Sequence, residues 1–210
     1  MKVAEISKNM LERLPLYLHY LKTLDGAQDE YVSAPIIARA VGLGEVQVRK
    51  DLNAVSGAGK PKVGYNTAEL IDRLESFLGY KNKRKAVIVG AGKLGKALFN
   101  YEGFKEYGLS ILAAFDGATD TVTDCGDGKK IYPMSEFTAF CKREKVKIGI
   151  ITVPAAAAQE VCDLMVESGI LAVWNFAPMG IKAPQNILIR NENMASSLAL
   201  LSAHLNDSVN

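Results

Sequence analysis

The chain has 210 residues, 49% of them hydrophobic and 23% charged, a composition that excludes disordered and fibrous classes. Its formal charge of +2 conceals an asymmetry: residues 1–85 hold 14 Lys/Arg against 10 Asp/Glu, and residues 86–210 hold 11 against 13. A basic front half on a mildly acidic back half points to a polyanion partner for the front. The start, MKVAEISKNMLERLP, lacks the apolar core of an export signal, and no run of about 20 apolar residues follows. Cys125, Cys141 and Cys162 fit neither a disulfide framework nor a CxxC site. These features predict a reduced, cytoplasmic chain with no membrane segment and no metal site. Cys141 and Cys162 are expected to be buried, and Cys125 to sit in a polar loop.

The first 80 residues read as helical. Leu11, Leu14, Leu18 and Leu21 recur at spacings of three and four, predicting an amphipathic helix over 11–24 that Pro15 either opens or kinks. Ser33 is the expected N-cap of a helix beginning at Pro35 and stopped by Gly42 and Gly44. A third helix, EVQVRKDLNAVS, begins at Glu45, and a fourth, TAELIDRLESFL, spans 67–78. Two short helices joined by a Gly-containing turn are a helix-turn-helix signature. The stretch GAGKPKVGY over 57–65 reads as the hairpin of a winged helix. Leu43, Val46 and Leu52 are expected to bury one face of the third helix, leaving Gln47, Arg49, Lys50 and Asn53 outward. Gln, Arg and Asn suit base edges and Lys suits phosphates; Lys60 and Lys62 would reach the backbone or the minor groove. The basic run 81–85, KNKRK, reads as a linker or the rim of the next domain.

From Ala86 strands and helices alternate. AVIVG, LSILAAFD, IGIITVP, LAVWNFAP and ILIRNE are strand candidates, with SEFTAFCKREK and AAAAQEVCDLMVES as helices between them. This grammar predicts an α/β fold with a Rossmann-like doubly wound parallel sheet. Gly90, Ala91, Gly92, Lys93, Leu94 and Gly95 satisfy G-x-G-x-x-G between a strand and a helix. The glycines there permit a tight turn, close approach of backbone to a pyrophosphate, and close helix packing, while the helix N-terminus offers free N–H groups. Asp116 closes the second strand about 20 residues on, where an acidic side chain takes ribose hydroxyls. With no Arg close behind it, NAD(H) is favoured over NADP(H). Thr152, Val153 and Pro154, and then Asn175 and Phe176, end later strands where doubly wound sheets place ligand-contacting loops. No catalytic residue is expected: His19 and His204 are the only histidines, neither lies by a nucleotide loop, and a dehydrogenase needs a proton donor or acceptor there. A small NAD-dependent oxidoreductase with a helical accessory domain is the alternative function, and a coenzyme A-binding module a third.

The combination resembles Rex, the redox-sensing transcriptional repressors of bacteria, over essentially the whole chain. The likeness is carried by Arg13-Leu-Pro-Leu-Tyr17, Val48-Arg-Lys-Asp-Leu52, Val63-Gly-Tyr65, the glycine turn with Asn100-Tyr101 and Gly103-Phe104 after it, Ala114-Phe-Asp116, Thr152-Val-Pro154 and Asn175-Phe176. It implies a homodimer that binds palindromic double-stranded operators and is released from them by NADH better than by NAD⁺. It adds Ser33 and Tyr65 to the expected DNA contacts and Tyr101 to the nucleotide contacts. The domains so expected are a winged helix over 1–80, a Rossmann domain over 81–190 and a C-terminal dimerisation helix over 191–210. That last helix, about Met194 to Leu205, is similar to the family's domain-swapped helix. Departures from the family's usual residues are Val55-Ser-Gly-Ala58 before the wing, the wing lysines, Lys93 and Asn193.

Overall fold

The computed structural model describes residues 7–24, 29–126 and 128–208. Residues 1–6, on which the expected start of the first domain and the leader reading rest, and residues 209–210 of the final segment lie outside these. The chain divides into two compact units, Met1–Asn82 and Lys83–Asn210. The architecture is a helical unit with one two-stranded ribbon, followed by an α/β unit with a mostly parallel sheet.

In the first unit, α1 (Lys8–Lys22) is N-capped by Ser7, whose hydroxyl accepts from the Met10 N–H. Pro15 lies well inside it, so the proline does not open the helix. Leu14, Leu18 and Leu21 of the predicted stripe are buried together with Tyr17. After β1 (Tyr31–Val32), α2 (Ala34–Val41) ends in Gly42, whose φ of 68° turns the chain into α3 (Glu45–Ser56). α4 (Thr67–Leu78) follows β2 (Tyr65–Asn66), which pairs antiparallel with β1. Leu70 and Leu74 of α4 close the core over Ile37, Val48 and Leu52.

One expected face is wrong. Val46 is 64% exposed, and Val48 takes the buried place beside Leu52, with Leu43 half-buried. At 3.6 residues per turn, positions 48 and 52 lie on one side of a helix and 46 lies far round it. The hairpin expected over 57–65 is a tight turn in which Lys60 and Gly64 bridge, with Lys62 left-handed at its tip. The paired strands of this unit are β1, ahead of α2, and β2, directly after the turn.

In the second unit the order of strands is β5-β6-β4-β3-β7-β8-β9. They are β3 (Arg84–Val89), β4 (Leu109–Asp116), β5 (Thr123–Asp124), β6 (Lys130–Pro133), β7 (Ile148–Ile151), β8 (Ala172–Asn175) and β9 (Leu188–Asn191). All pairings are parallel except that of β5 with β6. Arg84 and Lys85 of the expected linker begin the central strand. Alternate residues of β3 serve two cores: Val87 and Val89 meet Phe115, Phe137 and Met165, while Ile88 meets Ala114, Ile150 and Phe99. Burial on both faces is why this strand reads as an unbroken apolar run. The helices are α5 (Lys93–Asn100), α6 (Phe137–Glu144), α7 (Ala155–Glu167) and α8 (Met194–Ser208). Cys141 and Cys162 are buried and Cys125 is exposed, and burial pushes the Cys141 thiol up to about 11. Among the described residues, no helix is long and apolar enough to cross a membrane.

Candidate functional site

The sheet order reverses between β3 and β7, and the carboxyl ends of those two strands are where a doubly wound sheet opens a ligand crevice. β3 runs out at Val89 into the glycine turn, and Gly92 is the N-cap residue of α5. Gly90 has a φ of 101°, and a Cβ there would stand 2.8 Å from the Thr152 carbonyl carbon. A Cβ on Gly95 would fall 1.8 Å from the Gly90 carbonyl oxygen, whereas one on Gly92 meets nothing within 4 Å. Two of the three glycines thus let the turn and helix close on themselves. The third leaves open space above the helix N-terminus, where Lys93 stands exposed and Leu94 half-buried.

Asp116 ends β4 beside this turn. Its Oδ2 accepts from the Ala91 N–H at 2.6 Å and its Oδ1 from the Ala118 N–H at 2.9 Å. Thr152, just past β7, donates its hydroxyl to the carbonyls of Gly90 at 2.7 Å and Val89 at 3.1 Å. Val153 lies against Gly90, and Pro154 caps α7. The glycine turn, Asp116 and Thr152–Pro154 therefore come together at one mouth. Asn175 is fully buried and its side chain is engaged internally: its amide donates to the Met179 carbonyl at 2.7 Å and to Asn191 Oδ1 at 2.8 Å, and its Oδ1 accepts from the Ala177 N–H. It shapes the loop after β8. Phe176 is half-buried with its ring 4.5 Å from that of Trp174, which meets Phe104 at 6.0 Å; Phe104 in turn meets the exposed Tyr101 edge-on at 4.9 Å. This aromatic chain was not legible as a unit, because its members are spread from 101 to 176.

In the first unit, Arg49, Lys50, Asn53, Lys60 and Lys62 line one cleft of about 530 Å³ between α3 and the 60–64 turn, with Ser33 and Tyr65 at its wall. Ser33 occupies the N-cap position of α2 but makes no side-chain cap bond. Lys60 Nζ stands 5.7 Å over the Tyr31 ring. Arg49 pairs with Glu45 one turn before it. Gln47 faces outward as expected, exposed to solvent, and its amide also donates to Asp51 Oδ1 at 2.8 Å.

Asp51 is the residue that sequence reasoning missed. It is 3% exposed and receives Arg13 Nε at 2.7 Å, Arg13 Nη2 at 3.0 Å and the Tyr17 hydroxyl at 2.8 Å. Burial acts to raise its carboxyl, but the hydrogen bonds from Arg13, Tyr17 and Gln47 outweigh that and hold it below the ordinary carboxylate range. Burial first, then the bond to Asp51, pushes the Tyr17 hydroxyl up to about 12. The signal was available: Asp51 lies on the buried side of α3, three residues after Val48 and one before Leu52. A charge in that phase calls for a partner.

Comparison with known proteins places this arrangement. The sequence profile of the CoA binding domain matches residues 81–179, and that of the putative DNA-binding protein N-terminus matches 5–53. The redox-sensing transcriptional repressor Rex of Treponema denticola is 40% identical over 196 residues, 93% of each chain. The chain belongs to the Rex family. The Rex of Desulforamulus reducens is 37% identical over 98% of each chain. Among solved Rex-family structures, RSP in complex with β-NAD⁺ and operator DNA aligns with a TM-score of 0.90 at 32% identity, covering 97% of this chain and 94% of that one. RSP in complex with β-NADH aligns at 0.85 and 30% identity, covering 99% and 97%. Rex proteins are transcriptional regulators and not catalysts, so the oxidoreductase alternative falls. The coenzyme A-binding profile reflects a shared nucleotide-binding fold, while identity across both units assigns the family.

Proposed function

We propose that the chain is a cytoplasmic, homodimeric repressor that holds palindromic operator DNA with its first unit and reads the NADH/NAD⁺ balance with its second. One observation carries this reading. A glycine turn latched to Asp116 and a basic helix-turn-helix cleft stand in the same chain, with no acid–base constellation beside the nucleotide loops among the described residues. The nucleotide contacts are the glycine turn from Gly90 to Gly95, Asp116, Thr152–Pro154, the loop of Asn175 and Phe176, and Tyr101. The DNA contacts are Ser33, Gln47, Arg49, Lys50, Asn53, Lys60, Lys62 and Tyr65, with Gln47 also tied to Asp51. Reduction removes the positive charge of the nicotinamide, and the apolar surface of Phe176 and Trp174 favours the neutral ring. A ligand shifts the repressor only by its differential affinity for two states; a 100-fold preference corresponds to about 2.7 kcal/mol per site. Gel-shift titration of operator DNA with the two nucleotides is the test: NADH should release the DNA at much lower concentration than NAD⁺, and equal effects would sink the redox-sensing claim. Arg49→Ala should abolish operator binding with NADH binding intact. Asp116→Ala should leave DNA binding that no longer answers NADH at normal levels.

The dimer reading is supported by α8. Asn193 Oδ1 caps it by accepting from the Ser196 N–H at 2.9 Å, so the neutral residue serves where an Asp is usual. Its stripe of Met194, Leu198, Leu201 and Leu205 is 59–69% exposed in the single chain. Four large apolar side chains in line on one helix require a covering surface. Leu201→Glu should convert the assembly to monomers by size-exclusion with light scattering, and weaken operator binding as the two half-sites uncouple. An unchanged mass would remove α8 from the interface.

A further inference from the structure

The recognition helix carries a carboxylate that a DNA-binding surface does not need for affinity. Glu45 is the one acidic side chain lining the cleft between α3 and the 60–64 turn, among the described residues. It stands among Arg49, Lys50, Lys60 and Lys62, and a negative charge there opposes the binding of a polyanion. Folding gives it only a modest role, a first-turn charge against the helix dipole, because both Glu45 and Arg49 are well exposed and exposed i,i+4 pairs add little stability.

Resting on the DNA-binding reading above, we propose that Glu45 is a positioning residue that holds the Arg49 guanidinium for base readout. Three facts converge. Glu45, Arg49 and Asn53 are spaced by four, one line along α3. Glu45 is in the first turn of the recognition helix, the part that reaches base edges. Arg49 lines the cleft and carries the planar fork that reads a guanine bidentately. A flexible guanidinium on a phosphate-lined groove has a competing choice, since it can pair with any phosphate. The carboxylate takes one edge of the fork and leaves the other for O6 and N7 of guanine. It also partly cancels the charge that draws Arg49 to the backbone. Glu45 therefore gives up non-specific affinity and gains sequence discrimination.

The test uses the full chain and the duplex it enriches from a library of random duplexes, beside the same duplex with each G·C pair changed to A·T. Glu45→Gln should bind unrelated DNA more tightly, with a salt slope steeper by about 0.9, the value of one added phosphate contact. Its discrimination at one G·C pair should fall about tenfold. In an Arg49→Lys background, which keeps the charge for binding but loses the guanidinium fork, the same change should leave discrimination unaltered. Retained discrimination in the single variant overturns the proposal. So does a uniform loss on every duplex with a lowered Tm, which would mark a helix-supporting role. A loss that persists without Arg49 also overturns it, because Glu45 would then be reading a base itself. If the unaltered chain enriches no duplex, the DNA-binding reading falls and this inference with it.

Discussion

Replacing Asp51 with alanine should destabilise the first unit by about 3 kcal/mol, near the lower end for breaking a buried ion pair. The lower end applies because the Arg13 side chain keeps 19% of its surface in water and stays partly solvated after its partner is gone. For a unit of this size the loss lowers the unfolding temperature by about 12 °C or more. DNA binding should fall with it, since Asp51 ties α3 to Arg13 and Tyr17 of α1. The pH dependence separates the two titrating partners. The carboxyl is held below its unfolded value, so its stabilisation is full above about pH 3.9 and disappears as pH falls through the depressed folded value. The Tyr17 hydroxyl is raised to about 12, so its share is full below about pH 10 and lost as pH climbs from there towards 12. Thermal melts of the unaltered chain and of Asp51→Ala should therefore differ most at neutral pH, converge in acid, and narrow only in part above about pH 10, where Arg13 still pairs with Asp51. A gap that stays constant down to pH 2 would show that the network does not titrate.

Gly95→Ala should remove nucleotide binding altogether, at least about 100-fold by NADH fluorescence titration, a loss of about 2.7 kcal/mol. The added methyl would overlap the Gly90 carbonyl oxygen at 1.8 Å and crowd Thr152 Oγ1 at 2.9 Å. Neither neighbour is free to yield, because Thr152 is bonded to that same carbonyl. The N-terminus of α5 must lift away, and its N–H groups leave the position from which they serve a phosphate. Gly92→Ala is the informative companion: its Cβ meets no protein atom within 4 Å, so the melting temperature should hold while affinity drops. Equal NADH affinities for Gly95→Ala and the unaltered chain would move the pyrophosphate away from this turn.

Much of this was legible because the local signals and the fold agree. LSILAAFD became β4 over Leu109–Asp116, and α4 spans Thr67–Leu78, the bounds expected for it. The glycine turn and Asp116 are adjacent because a parallel β-α-β unit brings the two strand ends together. What the sequence hid was mostly matters of phase and distance. Val46 was given an inward place from hydrophobicity alone, although its angle on α3 points it out. Gln47 is a residue type that reads bases, and its capture by Asp51 depends on a side chain four positions away being buried. Asn175 sits where a ligand loop begins, but its partners Met179 and Asn191 come from later in the chain, beyond any local pattern. The Arg13–Asp51 pair spans 38 residues, so the two motifs that contain it gave no sign of touching.

The sheet's two rims carry a consequence for solubility. An open strand edge is a template for another chain, and natural sheets blunt it with short or charged strands. One rim is β5, two residues long, antiparallel and ending in Asp124. The other is β9, four residues long, where the half-buried Ile189 stands between exposed positions. Arg190 and Glu192 pair there at 2.9 Å, setting charge along the rim next to Leu188, which is 73% exposed. Changing Arg190 and Glu192 to valine would strip the charge from this edge and leave Asn191 as the polar residue beside Leu188, Ile189 and two valines. The chain guards against fibre growth at the point where its sheet would otherwise continue.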